Sequence, residues 1–464
     1  MQRSHAVVIG ASIGGLVAAR VLSTHFSRVT VVDRDALPAA AGAQRAAVPQ
    51  GRHGHGLLAS GLKALAQLFP TIERELVDAG ALPGDVIGDV RWHQHGFYKA
   101  KFASGLAGLL VSRPLLEGAV RAQVRRLPNV ELRSETHALE LVTGADGSVA
   151  GVKIQTRGEG RTELGASLVV DAGGRGSPSP EWLVQLGYQA PAVESVAVDL
   201  SYTSRVYRRT SADLDGDRGV VVTPTPPTDR RFGVLLAMEG DRWMATLGGW
   251  LGERAPTDPA GFLAYARSLA CPDIHDAICR AEPLTDAVLY RFPCNLRRRY
   301  ERLGRFPGGY LVTGDALCRF NPVYGQGMSV AALEGLLLER CLAGDPSRLP
   351  DWRQFFREAA RIIDTPWTIA AGSDFAFPGV TGRKPAGTDL VNWYLGKVHR
   401  AASTDPTVCR AFFDVANMLR PDTTLFRPGI LARVAKECVS PARRAAAPQP
   451  PTRSDAPSRL ARPA

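Results

Sequence analysis

The stretch Val7-Val8-Ile9-Gly10-Ala11-Ser12-Ile13-Gly14-Gly15-Leu16 constrains this chain more than any other. Ala6 to Ile9 is a short apolar run closed by glycine, the pattern of a buried parallel strand. Leu16, Ala19, Val21 and Leu22 then recur at helical spacing, and Val29 to Val32 is a second apolar run ending in Asp33. Strand, tight turn, helix and strand make a β-α-β unit. Gly10 permits the turn, Gly15 lets helix and strand approach, and free N–H groups at the helix start attract a pyrophosphate. Ser12 stands where a second glycine usually sits. Asp33 follows about 20 residues on, where a carboxylate accepts hydrogen bonds from a ribose. Gly10, Ala11, Ser12, Ile13, Gly14, Gly15, Asp33 and the adjoining Arg34 are the first candidates for binding a dinucleotide.

A chain of 464 residues holds two or three domains at about 150 residues each. Its 45% hydrophobic and 22% charged residues suit a soluble globular protein and exclude global disorder, collagen or coiled coil. The net charge of +11 is scattered. Its densest runs, Arg297 to Arg302 and Arg443 to Arg462, lack the aromatic interleaving of a single-strand platform, so no nucleic-acid partner is expected. Seven cysteines without a C-x-x-C pair suit a reducing compartment, and a cytoplasmic location is expected. Gly10, Gly14 and Gly15 interrupt the apolar start and argue against a signal peptide. Arg113, Glu334 and Glu339 split the longest apolar stretches, so no transmembrane segment is expected and peripheral contact is the most a membrane would receive.

Along the chain, a turn-rich loop from Pro38 to Gly61 precedes a helix expected over 62–79. Residues 85–111 read as strands, and Ser112 with Pro114 opens a helix to Val124. Val130 to Thr143 and Val149 to Thr156 read as a hairpin around Asp146-Gly147. From 181 to 290 the strands and proline-rich turns read as an antiparallel sheet inserted into an α/β domain. Tyr310 to Thr313 returns as a buried strand, Gly325 to Leu342 as a long helix, and 350–438 is mostly helical. The Pro, Ala and Arg tail reads as disordered.

A second motif separates the dinucleotides that share the first. Leu311-Val312-Thr313-Gly314-Asp315-Ala316 places a carboxylate at a strand end. Asn321-Pro322-Val323-Tyr324-Gly325-Gln326-Gly327-Met328 then places a proline-glycine loop at a helix mouth, where backbone N–H groups can stabilise negative charge on a reduced flavin ring. With both motifs, residues 1 to about 345 resemble the FAD-dependent hydroxylase and epoxidase superfamily of the para-hydroxybenzoate hydroxylase fold. Val48-Pro49-Gln50-Gly51-Arg52-His53-Gly54-His55, Gly174-Arg175-Gly176-Ser177-Pro178-Ser179 and Asn321 to Gly325 look similar to the squalene-type and polyether polyene epoxidases.

The resemblance implies an α/β fold: a Rossmann-like, glutathione-reductase-type FAD-binding domain with an inserted antiparallel substrate sheet and a C-terminal helical region. Residues 1–80, 112–180 and 291–345 would form the FAD-binding domain, 81–111 and 181–290 the substrate domain, 346–440 the helical region and 441–464 the tail. It implies Gly10 to Gly15 on the pyrophosphate, Asp33 on the adenosine ribose, and Arg45 and Arg113 reaching FAD from loop and helix start. Ala138 joins this set. Asp315 falls on the ribityl or pyrophosphate portion, with Pro322, Gly325, Gln326, Gly327 and Met328 beside the isoalloxazine. The implied chemistry is insertion of one oxygen atom from O2 into a hydrophobic substrate through a flavin C4a-hydroperoxide, by epoxidation or hydroxylation. A halogenase, a reductase or oxidase of the same fold, and a non-catalytic flavin-binding protein are the alternatives.

Where many relatives carry an Asp-Gly pair followed by Ser and a basic residue, this chain has Asp171-Ala172-Gly173-Gly174-Arg175-Gly176-Ser177-Pro178. The electron donor is thus open between NAD(P)H acting directly and a separate flavin reductase. His53 and His55 read as flavin or pocket lining rather than metal ligands. Phe97-Tyr98-Lys99-Ala100-Lys101-Phe102 resembles in outline the lysine segment of flavin-dependent halogenases, but without that family's tryptophan-rich motif it reads as a strand with two solvated lysines. Of Tyr202, Tyr207, Phe232, Met238, Trp243 and Trp250, half are expected in the core and half along a cavity. No catalytic side chain or metal is assigned.

Overall fold

A computed structural model describes residues 3–46 and 48–439. Arg3–Ile9 lies at the middle of a five-stranded parallel sheet, between Leu168–Asp171 and Phe26–Val32, with Tyr310–Val312 and Val130–Arg133 at the edges. Apolar residues populate these strands because both faces are covered, as a parallel sheet requires. Ala6, Val7, Val8, Val29, Val31, Val169 and Val170 are all buried. The helix Ile13–His25 packs against Gly327–Leu342. Gly335 permits that crossing, since a Cβ there would lie 2.0 Å from a Val17 methyl.

The second layer is a nine-stranded sheet, antiparallel except where Gly219–Val222 runs parallel to Val90–Gln94. Its long central strand, Val193–Arg208, pairs with Arg242–Gly249 on one side and Val288–Arg298 on the other. Alternation divides its faces. Tyr207, Trp243, Ala245 and Leu247 pack with the helices Pro259–Arg267 and Asp273–Ile278, while Tyr202, Phe232 and Trp250 gather on the opposite face with Phe377.

Some boundaries differ from the sequence reading. The helix expected over 62–79 is two, Ala59–Leu68 and Ile72–Asp78, because Pro70 cannot donate to the helical ladder. The strand read from Val130 to Thr143 is also two. Val130–Arg133 joins the parallel sheet, then Glu135 turns with φ +50° and Thr136–Thr143 enters a separate three-stranded antiparallel sheet. The helix from Arg113 to Arg125 forms as its signals predict, with the Ser112 hydroxyl accepting from the Leu115 N–H. Beyond Leu342, helices Trp352–Asp374, Thr388–Ala401, Pro406–Ala416 and Pro428–Val439 pack near the large sheet. The tail expected to be disordered lies outside the described residues.

Candidate functional site

The glycine turn has the geometry its sequence demands. Gly10 sits at φ +97°, and a Cβ there would lie 2.5 Å from the Ala172 carbonyl oxygen. A Cβ on Gly15 would lie 1.7 Å from the Gly10 carbonyl oxygen, so the helix start and the turn are in backbone contact. Ala11 and Ile13 are buried in the packing beneath, and Gly14 faces Ala331. Ser12 is the N-cap of Ile13–His25, but its side chain does not cap the helix. Its hydroxyl instead donates to Glu117 Oε2 at 2.7 Å. The first-turn N–H groups are thereby left without a side-chain cap, the condition for binding an anion there.

A buried ionic cluster flanks this turn. Asp33 Oδ2 accepts from the Ala11 N–H at 2.6 Å, and its Oδ1 pairs with Arg45 at 2.8 Å. Arg45 also donates to the Ala11 carbonyl at 3.0 Å and to Glu117 Oε1 at 2.8 Å. Arg113 donates to Ser12 Oγ at 2.8 Å and Glu117 Oε2 at 3.2 Å, while Arg121 reaches Glu117 Oε1 at 3.3 Å. Desolvation pushes the Glu117 carboxyl up, but Arg113 and Arg45 outweigh it and hold it below its ordinary value. Asp35 also pairs with Arg45 at 3.3 Å, so three guanidiniums face three carboxylates in this corner. Glu117 was not singled out in the sequence, although its spacing of four from both Arg113 and Arg121 was a readable signal. Arg34 is exposed at the end of its strand, and Ala138 is half-buried on the neighbouring strand that Thr136 joins to the Asp33 carbonyl.

Asp315 stands across the parallel sheet in a glycine-lined notch, since Cβ atoms built on Gly174 and Gly327 would lie 4.0 and 3.7 Å from its side chain. Desolvation raises its carboxyl above the ordinary value against the pull of Arg113, Arg319 and Arg175. The helix Gly327–Leu342 opens beside it, with Gln326 as N-cap and no side-chain cap. Gln326 is 1% exposed, and its Oε1 has no hydrogen-bond partner among the described residues. Gly325 takes φ +67° and meets the Gly56 carbonyl, bringing the loop of Pro322 against the His53–Leu58 segment. Met328 is buried in the core behind it.

Asp374, from the helix Trp352–Asp374, holds this loop from behind. Its carboxylate accepts from Trp250 Nε1 at 2.8 Å, Asn295 Nδ2 at 2.7 Å, Asn321 Nδ2 at 3.0 Å and the Tyr324 hydroxyl at 3.3 Å. Burial raises its carboxyl to about 6. It was missed because its partners lie 50 to 124 residues away in sequence. Asp171 braces its own loop: Oδ1 accepts from the Gly173 N–H at 2.7 Å and Oδ2 from Ser177 at 2.5 Å.

A cavity of about 340 Å³ opens between the Pro322–Gln326 loop, the Gly54–Leu58 segment, the large sheet and the C-terminal helices. Tyr202, Phe232 and Trp250 line it, whereas Tyr207 and Trp243 belong to the core on the other face and Met238 is buried away from it. His55 also lines it. His53 Nδ1 contacts Ser204 Oγ at 2.8 Å, and its ring meets Tyr202 edge-on at 4.9 Å. Burial lowers His53 to about 4 and His55 to about 3, leaving both imidazoles neutral. Among the described residues no group of three or more His, Cys, Asp or Glu is placed to hold a metal ion. No helix among them is long and apolar enough to cross a membrane.

The reading of two solvated lysines is corrected. Lys101 pairs with Asp217, but Lys99 is buried, donates to the His399 carbonyl at 2.8 Å and is lowered to about 7 by desolvation. The strand stops at Tyr98, so Lys99 turns inward under the helix Thr388–Ala401.

The geometry suits FAD: an uncapped helix start for the pyrophosphate, an acid at the second strand end, and a glycine notch leading to a second uncapped helix beside an apolar cavity. The family described as FAD binding domain matches residues 3–344. Protein Rv3254 of Mycobacterium tuberculosis (strain ATCC 25618 / H37Rv) is 34% identical over 428 residues, covering 88% of each chain. Among solved structures, the flavin-dependent brominase Bmp2 aligns at TM-score 0.64 and 14% identity, over 93% of this chain and 98% of its own. A flavoprotein/dehydrogenase from Cytophaga hutchinsonii aligns at 0.65 and 15%, over 95% and 98%. The probable FAD-dependent monooxygenase pqsL of Pseudomonas aeruginosa aligns at 0.60 and 15%, over 84% and 97%. The chain belongs to the FAD-binding-domain family.

Proposed function

We propose that this flavoprotein is a monooxygenase that transfers one oxygen atom from O2 to a hydrophobic organic substrate, with NAD(P)H or a flavin reductase supplying two electrons. The observation that carries the reading is the cavity, which joins the Pro322–Gln326 loop directly to the aromatic wall of Tyr202, Phe232 and Trp250. Bound FAD supplies the activation of dioxygen, and the second oxygen atom leaves as water. The protein's tasks are to hold the cofactor, orient the substrate and exclude water.

Gly10 to Gly15 would receive the pyrophosphate on the first-turn N–H groups, with Asp33 on the ribose and Arg34, Arg45, Arg113 and Ala138 around the adenosine side. Asp33 Oδ1 accepts from Arg45 and the Asp35 N–H and Oδ2 from the Ala11 N–H, so the lone pair left on Oδ2 can accept a ribose hydroxyl. Asp315 would take the ribityl or pyrophosphate portion. Pro322, Gly325, Gln326, Gly327 and Met328 would sit against the isoalloxazine, where the partial positive charge of the helix start favours an anionic ring. Tyr202, Phe232 and Trp250 would hold an apolar skeleton against that ring, and no protein nucleophile is needed for electrophilic oxygen transfer. Neutral His53 and His55 add no charge to this wall. Epoxidation of an alkene, as in the squalene-type and polyether polyene epoxidases, is the branch of this reading favoured by the motifs at Val48 to His55 and Asn321 to Gly325.

The test is anaerobic reduction of the purified flavoprotein by NADH or NADPH, then by a flavin reductase, followed by labelled dioxygen and a set of polyenes and phenols. One labelled oxygen in the product supports the reading. Product formation that requires bromide or chloride would make it a halogenase. Slow reduction by every donor with no product would make it a non-catalytic flavin-binding protein.

A further inference from the structure

A separate part of the cavity wall carries polar groups that the flavin reading does not use. Gln94, at the end of the strand Val90–Gln94, His95 in the following turn and His399 on the helix Thr388–Ala401 all line the cavity. The rings of His95 and His399 stack at 4.1 Å with 14° between their planes. His399 is 8% exposed and Gln94 9%, yet His399 Nδ1 and Gln94 Oε1 have no hydrogen-bond partner among the described residues. Buried polar atoms are nearly always paired, so two orphans on one wall of the cavity call for a ligand group. Around them stand Trp92, Phe412 and Phe413, with Trp92 and Phe413 in edge contact at 4.9 Å.

The arrangement is locked rather than loose. Lys99 ties the two sides together by donating to the His399 carbonyl at 2.8 Å and the Gln94 carbonyl at 3.4 Å. Burial lowers His95 to about 4 and His399 well below the ordinary imidazole value, so both rings are neutral. A neutral imidazole offers one donor and one acceptor, and Gln94 Oε1 only accepts. The partner must therefore give a proton to Gln94 while meeting His399 Nδ1. With the His399 proton on Nδ1, a hydroxyl does both, donating to Gln94 Oε1 and accepting from Nδ1–H. A carboxylate has no proton for Gln94, and a bare hydrocarbon would leave both atoms unpaired.

From this geometry we infer that Gln94 and His399 form a hydroxyl-recognition subsite, and that the substrate is an apolar skeleton carrying an alcohol or phenol group seated there. The inference rests on the cavity being the substrate site proposed above. It names the polar handle by which an otherwise featureless hydrophobic molecule is oriented toward the Pro322–Gln326 loop.

The test uses the FAD-loaded protein, oxidised and without electron donor, titrated with 2-naphthol, naphthalene and 2-naphthoate while naphthyl fluorescence is followed. Two neutral hydrogen bonds are expected to make 2-naphthol bind about tenfold more tightly than naphthalene. Gln94→Leu and His399→Phe should each weaken 2-naphthol binding while naphthalene binding is kept or tightened, which also reports that each variant is folded. Equal binding of 2-naphthol and naphthalene by the wild-type protein would overturn the subsite whatever the variants do. Tightest binding of 2-naphthoate would also overturn it, making the wall an anion site governed by Lys99. Failure to retain FAD would strike the monooxygenase reading instead, since the naphthyl signal does not depend on flavin.

Discussion

Asp374 offers the sharpest quantitative test, because its burial and its donors act in opposite directions. The carboxyl is fully buried, and desolvation carries it from an ordinary 3.8 to about 6 despite hydrogen bonds from Trp250, Asn295, Asn321 and Tyr324. Between those two values the native protein keeps a proton that the unfolded chain has released. Stability contributed by this group is therefore highest below pH 4 and falls as pH rises toward 6. About two pH units at about 1.4 kcal/mol each give a loss of about 3 kcal/mol. Asp374→Asn removes the charge and copies the protonated form, so it should exceed the wild type by up to about 3 kcal/mol at pH 8 and fall level with it near pH 4. Asp374→Ala instead strands the Trp250 and asparagine donors, at about 1–3 kcal/mol for each buried unpaired group, and should be clearly destabilised at every pH. Urea unfolding of the three proteins from pH 4 to 8, with flavin absorbance followed in parallel, measures both effects. Wild-type and Asp374→Asn curves that run parallel across this range would refute the reasoning, since Asp374 would then not titrate differently in the folded state.

Other expectations follow from single contacts. Gly15→Ala places a Cβ 1.7 Å from the Gly10 carbonyl oxygen, and the turn cannot keep its shape. The purified variant should lose most of its flavin, read as the ratio of visible to ultraviolet absorbance, and full retention would show that the pyrophosphate lies elsewhere. Glu117→Ala leaves Arg45, Arg113 and Arg121 without their shared buried partner, at a cost of about 3–5 kcal/mol in urea unfolding. A loss below about 1 kcal/mol would mean that water reaches the cluster freely. Lys99 is lowered from an ordinary 10.5 to about 7, so the unfolded chain binds more protons between those values and stability rises with pH through that window. Lys99→Met should lack that rise, and a wild-type slope no steeper than the variant's between pH 7 and 10 would sink the assignment.

What the sequence disclosed depended on how far apart the interacting residues lie along it. The β-α-β unit, the Ser112 cap and the Asp146-Gly147 hairpin rest on neighbours a few residues apart, and each formed as expected. The break at Pro70 was also local, but the apolar spacing on both sides masked it. Which aromatics of the large sheet face the cavity was not legible, because strand alternation gives two faces without saying which one another layer will cover. Only the placement of Pro259–Ile278 against Trp243 and Tyr207 settles that. Lys99 shows the same limit in a charged residue. A lysine two places from another lysine reads as a solvated edge until a helix three hundred residues later supplies the carbonyl that receives it.

Asp374 extends this logic to the site itself. Its donors come from the large sheet and its edge at Asn295 and Trp250 and from the loop at Asn321 and Tyr324, so one carboxylate from the C-terminal helices fixes the relation between the cavity's aromatic wall and the Pro322–Gln326 loop. The local motif Asn321 to Gly325 says what the loop is, and the distant helix decides where it stands. The C-terminal helical region thus helps to shape the cavity, which its residues also line. Loss of that helix should therefore disturb substrate binding even where the glycine turn still holds FAD.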